Sequence, residues 1–254
     1  MVAAAGLCTA WVATATDNAV ERGRYVFFAA GCISCHTADQ PLAGGRPLET
    51  PFGIFHPPNI TPSREHGIGS WSSADLERAL GKGLNPQGEH YYPAFPYPSY
   101  TRMTPADMQA LHAYLMTQPA AARENRPHEL HWPFSSRPLL SQWKSGGFNP
   151  GTLTPESERS ALWNRGAYLA KALGHCNECH TPRGFLGTPR AGHYLAGTCE
   201  GAEGRLTPNI TPDRETGIGD WSSAQLKRFL ATGRRPDGSF TGSLMAEVLG
   251  TSCM

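Results

Sequence analysis

An all-α fold, built from one helical unit written twice, is what this sequence predicts. Three observations predict it: four sequence blocks recur in the same order, apolar residues fall at helical spacing, and no run alternates apolar with polar residues. Gly23-Arg24-Tyr25 leads to Cys32-Ile33-Ser34-Cys35-His36, and Gly166-Ala167-Tyr168 leads to Cys176-Asn177-Glu178-Cys179-His180. Pro58-Asn59-Ile60-Thr61-Pro62 returns as Pro208-Asn209-Ile210-Thr211-Pro212. Gly67-Ile68-Gly69-Ser70-Trp71-Ser72-Ser73-Ala74 returns as Gly217-Ile218-Gly219-Asp220-Trp221-Ser222-Ser223-Ala224. Chance does not preserve such an order, so two homologous domains follow one another, at 16–118 and 155–254.

The elements follow in order. Residues 1–15 read as an export signal: an apolar run from Val2 ends in Ala13-Thr14-Ala15, small residues at the cleavage positions, although no basic residue precedes it. Asn18 with Glu21 caps a first helix running towards Ala30. Ser72 with Asp75 opens a second, carrying Leu76 and Leu80 and ended by Gly83. Thr104-Pro105 with Asp107 opens a third, on which Met108, Leu111, Tyr114 and Leu115 recur and which Pro119 stops. In the second unit Thr154-Pro155 opens the counterpart of the first helix, with Leu162, Gly166, Leu169 and Leu173 on one face. Ser222 with Gln225 opens the counterpart of the second, ended by Gly233. Gly23 and Gly166 leave room for the last helix of each unit to cross closely. Between the units, residues 119–154 are rich in Pro, Arg and aromatics, Trp132 and Trp143 among them, which predicts an ordered connector lying along both units.

Composition narrows the function. Of 254 residues, 22 are Lys or Arg and 21 are Asp or Glu, and this balance excludes a basic nucleic-acid binder and an acidic tail protein. Hydrophobic residues make up 39%, a low share that leaves room for something other than aliphatic side chains in the core. The seven cysteines are an odd number and too few for a disulfide scaffold of this length.

Cys-x-x-Cys-His is the attachment signature of c-type haem. Two thiols add to the vinyl groups, and the adjacent imidazole is set to coordinate iron. Its occurrence at Cys32, Cys35 and His36, and again at Cys176, Cys179 and His180, therefore predicts two covalently bound haem c groups. Zinc would want two further ligands close by, and a thioredoxin-like pair would want strands; the sequence offers neither. A second axial ligand is sought among the methionines. Met103 follows His36 by 67 residues and Met245 follows His180 by 65, the one pair at matching places. Met108 and Met116 fall on a helix and read as core filler. The rival ligands are His56, His66 and His90 in the first unit and His193 in the second; none recurs at an equivalent position. Around the irons, Pro58 and Pro208 are candidates to accept the second N–H of each axial imidazole. Trp71 and Trp221 carry indoles that would suit a propionate, with plain packing as the alternative.

These residues, with Pro41-Leu42-Ala43-Gly44-Gly45, Tyr92-Pro93-Ala94-Phe95-Pro96-Tyr97, Tyr100-Thr101-Arg102-Met103 and Trp163-Asn164-Arg165-Gly166, resemble the cytochrome c subunits of periplasmic membrane-bound dehydrogenases, such as those acting on alcohols, gluconate, sorbitol and fructose. The resemblance runs from about Val20 to Leu249. It implies tandem class I-like cytochrome c domains, with Met103 and Met245 as distal ligands. It also implies a subunit that takes electrons from a flavin- or quinone-cofactor dehydrogenase subunit and passes them to ubiquinone or a terminal oxidase, in the periplasm and peripheral to the cytoplasmic membrane. Members of that family usually carry three haem units and a C-terminal anchor, whereas two units and no anchor are visible here. Only nine residues follow Met245. The expectation is thus a second unit without its C-terminal helix, looser than the first and with its haem more exposed.

Electron transfer without substrate chemistry is the leading function. The alternative is a dihaem redox enzyme of peroxidase or thiosulfate-oxidising type, with one open iron or one without methionine. Cys199 is the spare thiol that such a reading would use, and it has no counterpart in the first unit.

Overall fold

The structure, a computed structural model, describes residues 15–199, 201 and 204–252. The export segment expected at 1–15 falls outside them except for Ala15, as do Cys8, Cys253 and Met254.

The first unit is organised around three helices. Helix α1 (Ala15–Ala29) starts before the expected Asn18 cap, with Asp17 in its first turn where a negative charge complements the helix dipole. Helix α2 (Cys32–His36) follows after a left-handed Gly31, φ 63°, that turns the chain. Helix α3 (Ser73–Lys82) begins with a complete capping box between Ser72 and Asp75 and ends at Gly83 in the left-handed region. A short turn, α4 (Tyr97–Tyr100), leads through Met103 to α5 (Pro105–Leu115), capped by Thr104. Helix α5 packs against both α1 and α3. The crossing with α1 is close enough that a Cβ at Gly23 would lie 1.9 Å from the Ala110 carbonyl oxygen.

Three short strands qualify the expected all-α class. Strands β1 (Leu48–Thr50) and β2 (Gly53–Phe55) form an antiparallel hairpin, and β3 (Glu129–Leu130) from the connector pairs with β2 in the order β1-β2-β3. Strands of two or three residues are too short to display the alternation by which a strand is recognised, and one of them is supplied from far along the chain.

The connector is tied to both units. Within it α6 (Arg137–Gly147) sends the buried Lys144 ammonium to the carbonyl oxygens of Lys82 and Gly83, closing the end of α3. On the other side the Trp143 indole donates to the Leu186 carbonyl at 2.8 Å.

The second unit repeats the elements with different packing. Helix α7 (Ala161–Tyr168) starts from a Ser160 cap rather than at Thr154-Pro155, because the Ser160 hydroxyl accepts the Trp163 N–H. It runs on as a π-helical turn over Leu169–Leu173. Then come α8 (Asn177–His180), α9 (Ser223–Thr232) with its own capping box, and α10 (Ser243–Ser252). The expected absence of a C-terminal helix is corrected by α10, which includes Met245 rather than following it. It is no copy of α5: it packs on α9 and, across the boundary, on α1 and α2. At Gly166, the counterpart of Gly23, an added Cβ would meet nothing within 4 Å.

A single apolar core results. Val26, Phe27, Leu76, Leu80, Met103 and Leu111 form its centre, and the second unit adds Tyr168, Ala172 and Leu173. No helix among the described residues is long and apolar enough to cross a membrane.

Candidate functional site

Two sites are built by the same local devices. In the first, α2 presents Cys32 against the apolar core, while Cys35 one turn later faces solvent. His36 ends the helix. Its Nδ1 lies 2.8 Å from the Pro58 carbonyl oxygen, which makes Nδ1 the protonated nitrogen and leaves Nε2 as a lone pair without a hydrogen bond among the described residues. Burial holds the imidazole below the usual histidine range, so it is neutral. Burial, with Cys35 beside it, pushes the Cys32 thiol up to about 12, and a thiol rather than a thiolate stands there.

The proline carbonyl is placed by a loop whose role the sequence marked only by repetition. Asn59 is buried, and its side-chain oxygen accepts from the Thr61 N–H and hydroxyl at 2.9 and 2.7 Å. Asn209 does the same for Thr211, at 2.8 and 2.7 Å. A backbone bond returns to each of these histidines from the loop that follows, Gly44 N–H to the His36 carbonyl at 3.2 Å and Gly197 N–H to the His180 carbonyl at 2.8 Å. Gly45 has to be glycine, since a Cβ there would lie 1.5 Å from the Cys35 carbonyl oxygen.

In the second site Cys176 is half-buried and Cys179 exposed, and His180 Nδ1 sits 2.8 Å from the Pro208 carbonyl oxygen. Burial lowers this histidine too. The two methionines differ. Met103 is fully buried in the core, whereas Met245 is half-buried on α10. Trp71 is partly buried against the core and Trp221 packs edge-on against Phe229; neither indole N–H makes a hydrogen bond among the described residues. Of the rival histidines, His56 is buried with its Nε2 2.8 Å from Glu129, beside the small sheet. His66 lies next to Glu65, His90 carries a buried Nδ1 without a partner, and His193 is exposed. Cys199 is exposed in a loop.

The sites face one another across the boundary. The Tyr100 ring packs edge-on to His175 at 5.5 Å, and its hydroxyl donates to the Ala30 carbonyl at 2.8 Å. Ser99 donates to Glu178 at 2.5 Å, Arg46 pairs with Glu247 at 2.7 Å, and Ser34 and Thr251 hydroxyls are 2.9 Å apart. Desolvation raises the Cys35 thiol, and Glu247 and Cys179 of the second unit raise it further. The contacts of Tyr100 with His175 and of Ser99 with Glu178 carry no signal in the sequence, because those partners lie in the other unit.

The arrangement fits the chemistry of haem attachment. Each site combines two free thiols one helical turn apart and a neutral imidazole with its Nε2 free. A metal held by side chains alone is not supported: no group of three or more His, Cys, Asp or Glu among the described residues is placed to hold an ion.

Comparison with known proteins points the same way. Residues 20–119 match the family described as cytochrome c. A diheme cytochrome c-type protein of Cereibacter sphaeroides is 44% identical over 242 residues, covering 90% of this chain and 78% of its own length. The fructose dehydrogenase cytochrome subunit of Gluconobacter japonicus is 39% identical, with 93% of this chain and 49% of its own covered. The cytochrome c subunit of the quinone-type alcohol dehydrogenase of Gluconobacter oxydans is 38% identical, with 94% and 52% covered. The chain thus spans about half the length of these two dehydrogenase subunits.

Proposed function

The chain belongs to the cytochrome c family, and from that premise we propose that it is a dihaem electron carrier serving a dehydrogenase. It carries two covalently bound haem c groups, which when bound supply one-electron iron chemistry. Cys32 and Cys35 would hold the first through thioethers, and Cys176 and Cys179 the second. His36 and His180 would bind iron through Nε2, each fixed in tautomer and orientation by a proline carbonyl. Met103 and Met245 would supply sulfur on the opposite side. The partner is a flavin- or quinone-cofactor catalytic subunit, and the acceptor is ubiquinone or a terminal oxidase, with the chain working in the periplasm.

The observation that carries this reading is the duplicated geometry, a Cys-x-x-Cys-His helix whose imidazole meets a proline carbonyl at 2.8 Å in both units. The residues around it hold, orient and shield. The test is expression with export and haem maturation, followed by mass analysis of the intact chain and reduction by a membrane-bound dehydrogenase. Two added haems and reduction by enzyme plus substrate are expected. A chain that matures without added porphyrin ends the proposal.

Half-burial of Met245 favours a second reading in which the second iron exchanges its sulfur for an outside ligand. Carbon monoxide bound by one of the two ferrous irons would select it.

A further inference from the structure

Helix α5 begins with Thr104-Pro105-Ala106-Asp107, the pattern of a capping box. In the boxes of α3 and α9 the side chain three residues on accepts directly from the cap backbone, Ser72 N–H to Asp75 at 2.9 Å and Ser222 N–H to Gln225 at 2.8 Å. In α5 that bond is not direct. The Thr104 N–H donates to the Tyr168 hydroxyl at 3.1 Å, and this hydroxyl donates in turn to Asp107 Oδ2 at 2.5 Å. The other half of the box is intact, with the Asp107 N–H donating to the Thr104 hydroxyl at 3.2 Å. Arg22 on α1 completes the set, its Nε 2.6 Å from Asp107 Oδ1. Tyr168 and Asp107 are both buried, so the bond between them is made away from water.

A side chain of the second unit has therefore been inserted into a helix cap of the first, at the peptide immediately after Met103. We infer that Tyr168 is a positioning residue for Met103: the second unit holds the segment that presents the first unit's sulfur ligand. The inference rests on the ligand reading given above. Burial, with the Asp107 carboxylate beside it, pushes the Tyr168 hydroxyl up to about 12, so it keeps the proton it donates.

The repeat supplies an internal contrast. Tyr25 occupies the position of Tyr168 in the first unit, yet its ring is 47% exposed and stacks under the Arg165 guanidinium at 5.3 Å. Met245 lies within α10, which follows Gly242 and so has no side chain at its cap position. Arg46 and Ser34 of the first unit reach α10 at Glu247 and Thr251, but among the described residues the insertion of a side chain into a helix cap is made by the second unit on the first.

The test uses the full matured chain and Tyr168→Phe, which removes one oxygen and keeps the ring. Expected is loss of about half of the thioether–iron charge-transfer absorption of the oxidised protein, a fall in one of the two midpoint potentials, and carbon monoxide binding at one ferrous iron. Amide exchange at Thr104 should rise roughly five- to tenfold, the size of one net hydrogen bond. Tyr25→Phe should change none of these. Should Tyr168→Phe mature poorly, Arg22→Gln at a half-exposed position loosens Asp107 from outside the core and should shift the same signals by less. If both methionine signatures and both potentials survive both substitutions, the brace is refuted while the ligand reading stands. If the unaltered protein shows no thioether absorption, the ligand reading falls and the brace falls with it.

Discussion

The two units share their local grammar and differ in what covers them. Both have a capping box before the second helix, a left-handed glycine after it, the Asn–Thr turn, and the histidine–proline bond. In α3, however, Leu76 and Leu80 are buried, while α9 buries no residue and Leu230 is 45% exposed. Leu162 on α7 is 85% exposed and Phe240 is 68% exposed. Hydrogen bonds between near neighbours are written into a short segment and form wherever it occurs. Burial needs a partner, and among the described residues no copy of α5 lies across α7. Most of a helix's stability in a protein comes from such packing, so one sequence pattern yields a core in one place and an open surface in the other.

The strongest way to break this comparison is to remove one haem at a time. Replacing Cys32 and Cys35 together by Ala, or Cys176 and Cys179 together, should each lower the intact mass by one haem. Cys32 of the first pair lies against the core, and loss of the pair should cost on the scale of a domain's whole stability, about 5–15 kcal/mol, leaving a protease-sensitive chain. The second should leave a protein that still unfolds cooperatively in guanidinium. Equal damage from the two would show that the units share stability evenly.

Next in size are the methionines. Met103→Ala empties a fully buried position and should destabilise by about 2–5 kcal/mol. Met245→Ala, at a half-buried one, should cost about 1 kcal/mol. Urea midpoints of the two variants measure the difference, and a Met245 cost as large as that of Met103 would mean that α10 covers its site as well as α5 covers the other.

The glycines should differ in sign. Gly23→Ala forces a methyl group onto the Ala110 carbonyl and should cost about 1–3 kcal/mol through overpacking. Gly166→Ala meets open space in a helix and should stabilise by about 0.5–1 kcal/mol. Thermal midpoints read both. A destabilised Gly166→Ala would reveal that something does cross α7.

What could be read in advance divides along the same line. The caps at Ser72, Ser222 and Thr104, the ends at Gly83 and Gly233, and a carbonyl acceptor at Pro58 and Pro208 are each set by a few adjacent residues or by repetition, and they are legible in the sequence. The sheet was not, because β3 reaches β2 from the connector. The start of α7 was misread at Thr154-Pro155, since the Asn164 side chain ties back the stretch after it, accepting from the Glu156 N–H at 2.8 Å, and Ser160 caps the helix instead. The bonds from Tyr168 to Asp107 and from Tyr100 to Ala30 carry no signal for the same reason as the sheet: each joins residues more than sixty positions apart.

The smallest expected effect tests the shared half of the comparison. Ser72→Ala and Ser222→Ala each remove the hydroxyl that accepts the backbone N–H of Asp75 or Gln225, from helices of equal length, and each should cost about 1 kcal/mol. Near-equal losses, measured by denaturant unfolding, would establish that capping is independent of how deeply its helix is buried. A negligible loss at Ser222 would mean that α9, with no buried residue, unwinds before the unit around it, and the difference between the units would then begin in their secondary structure rather than in their packing.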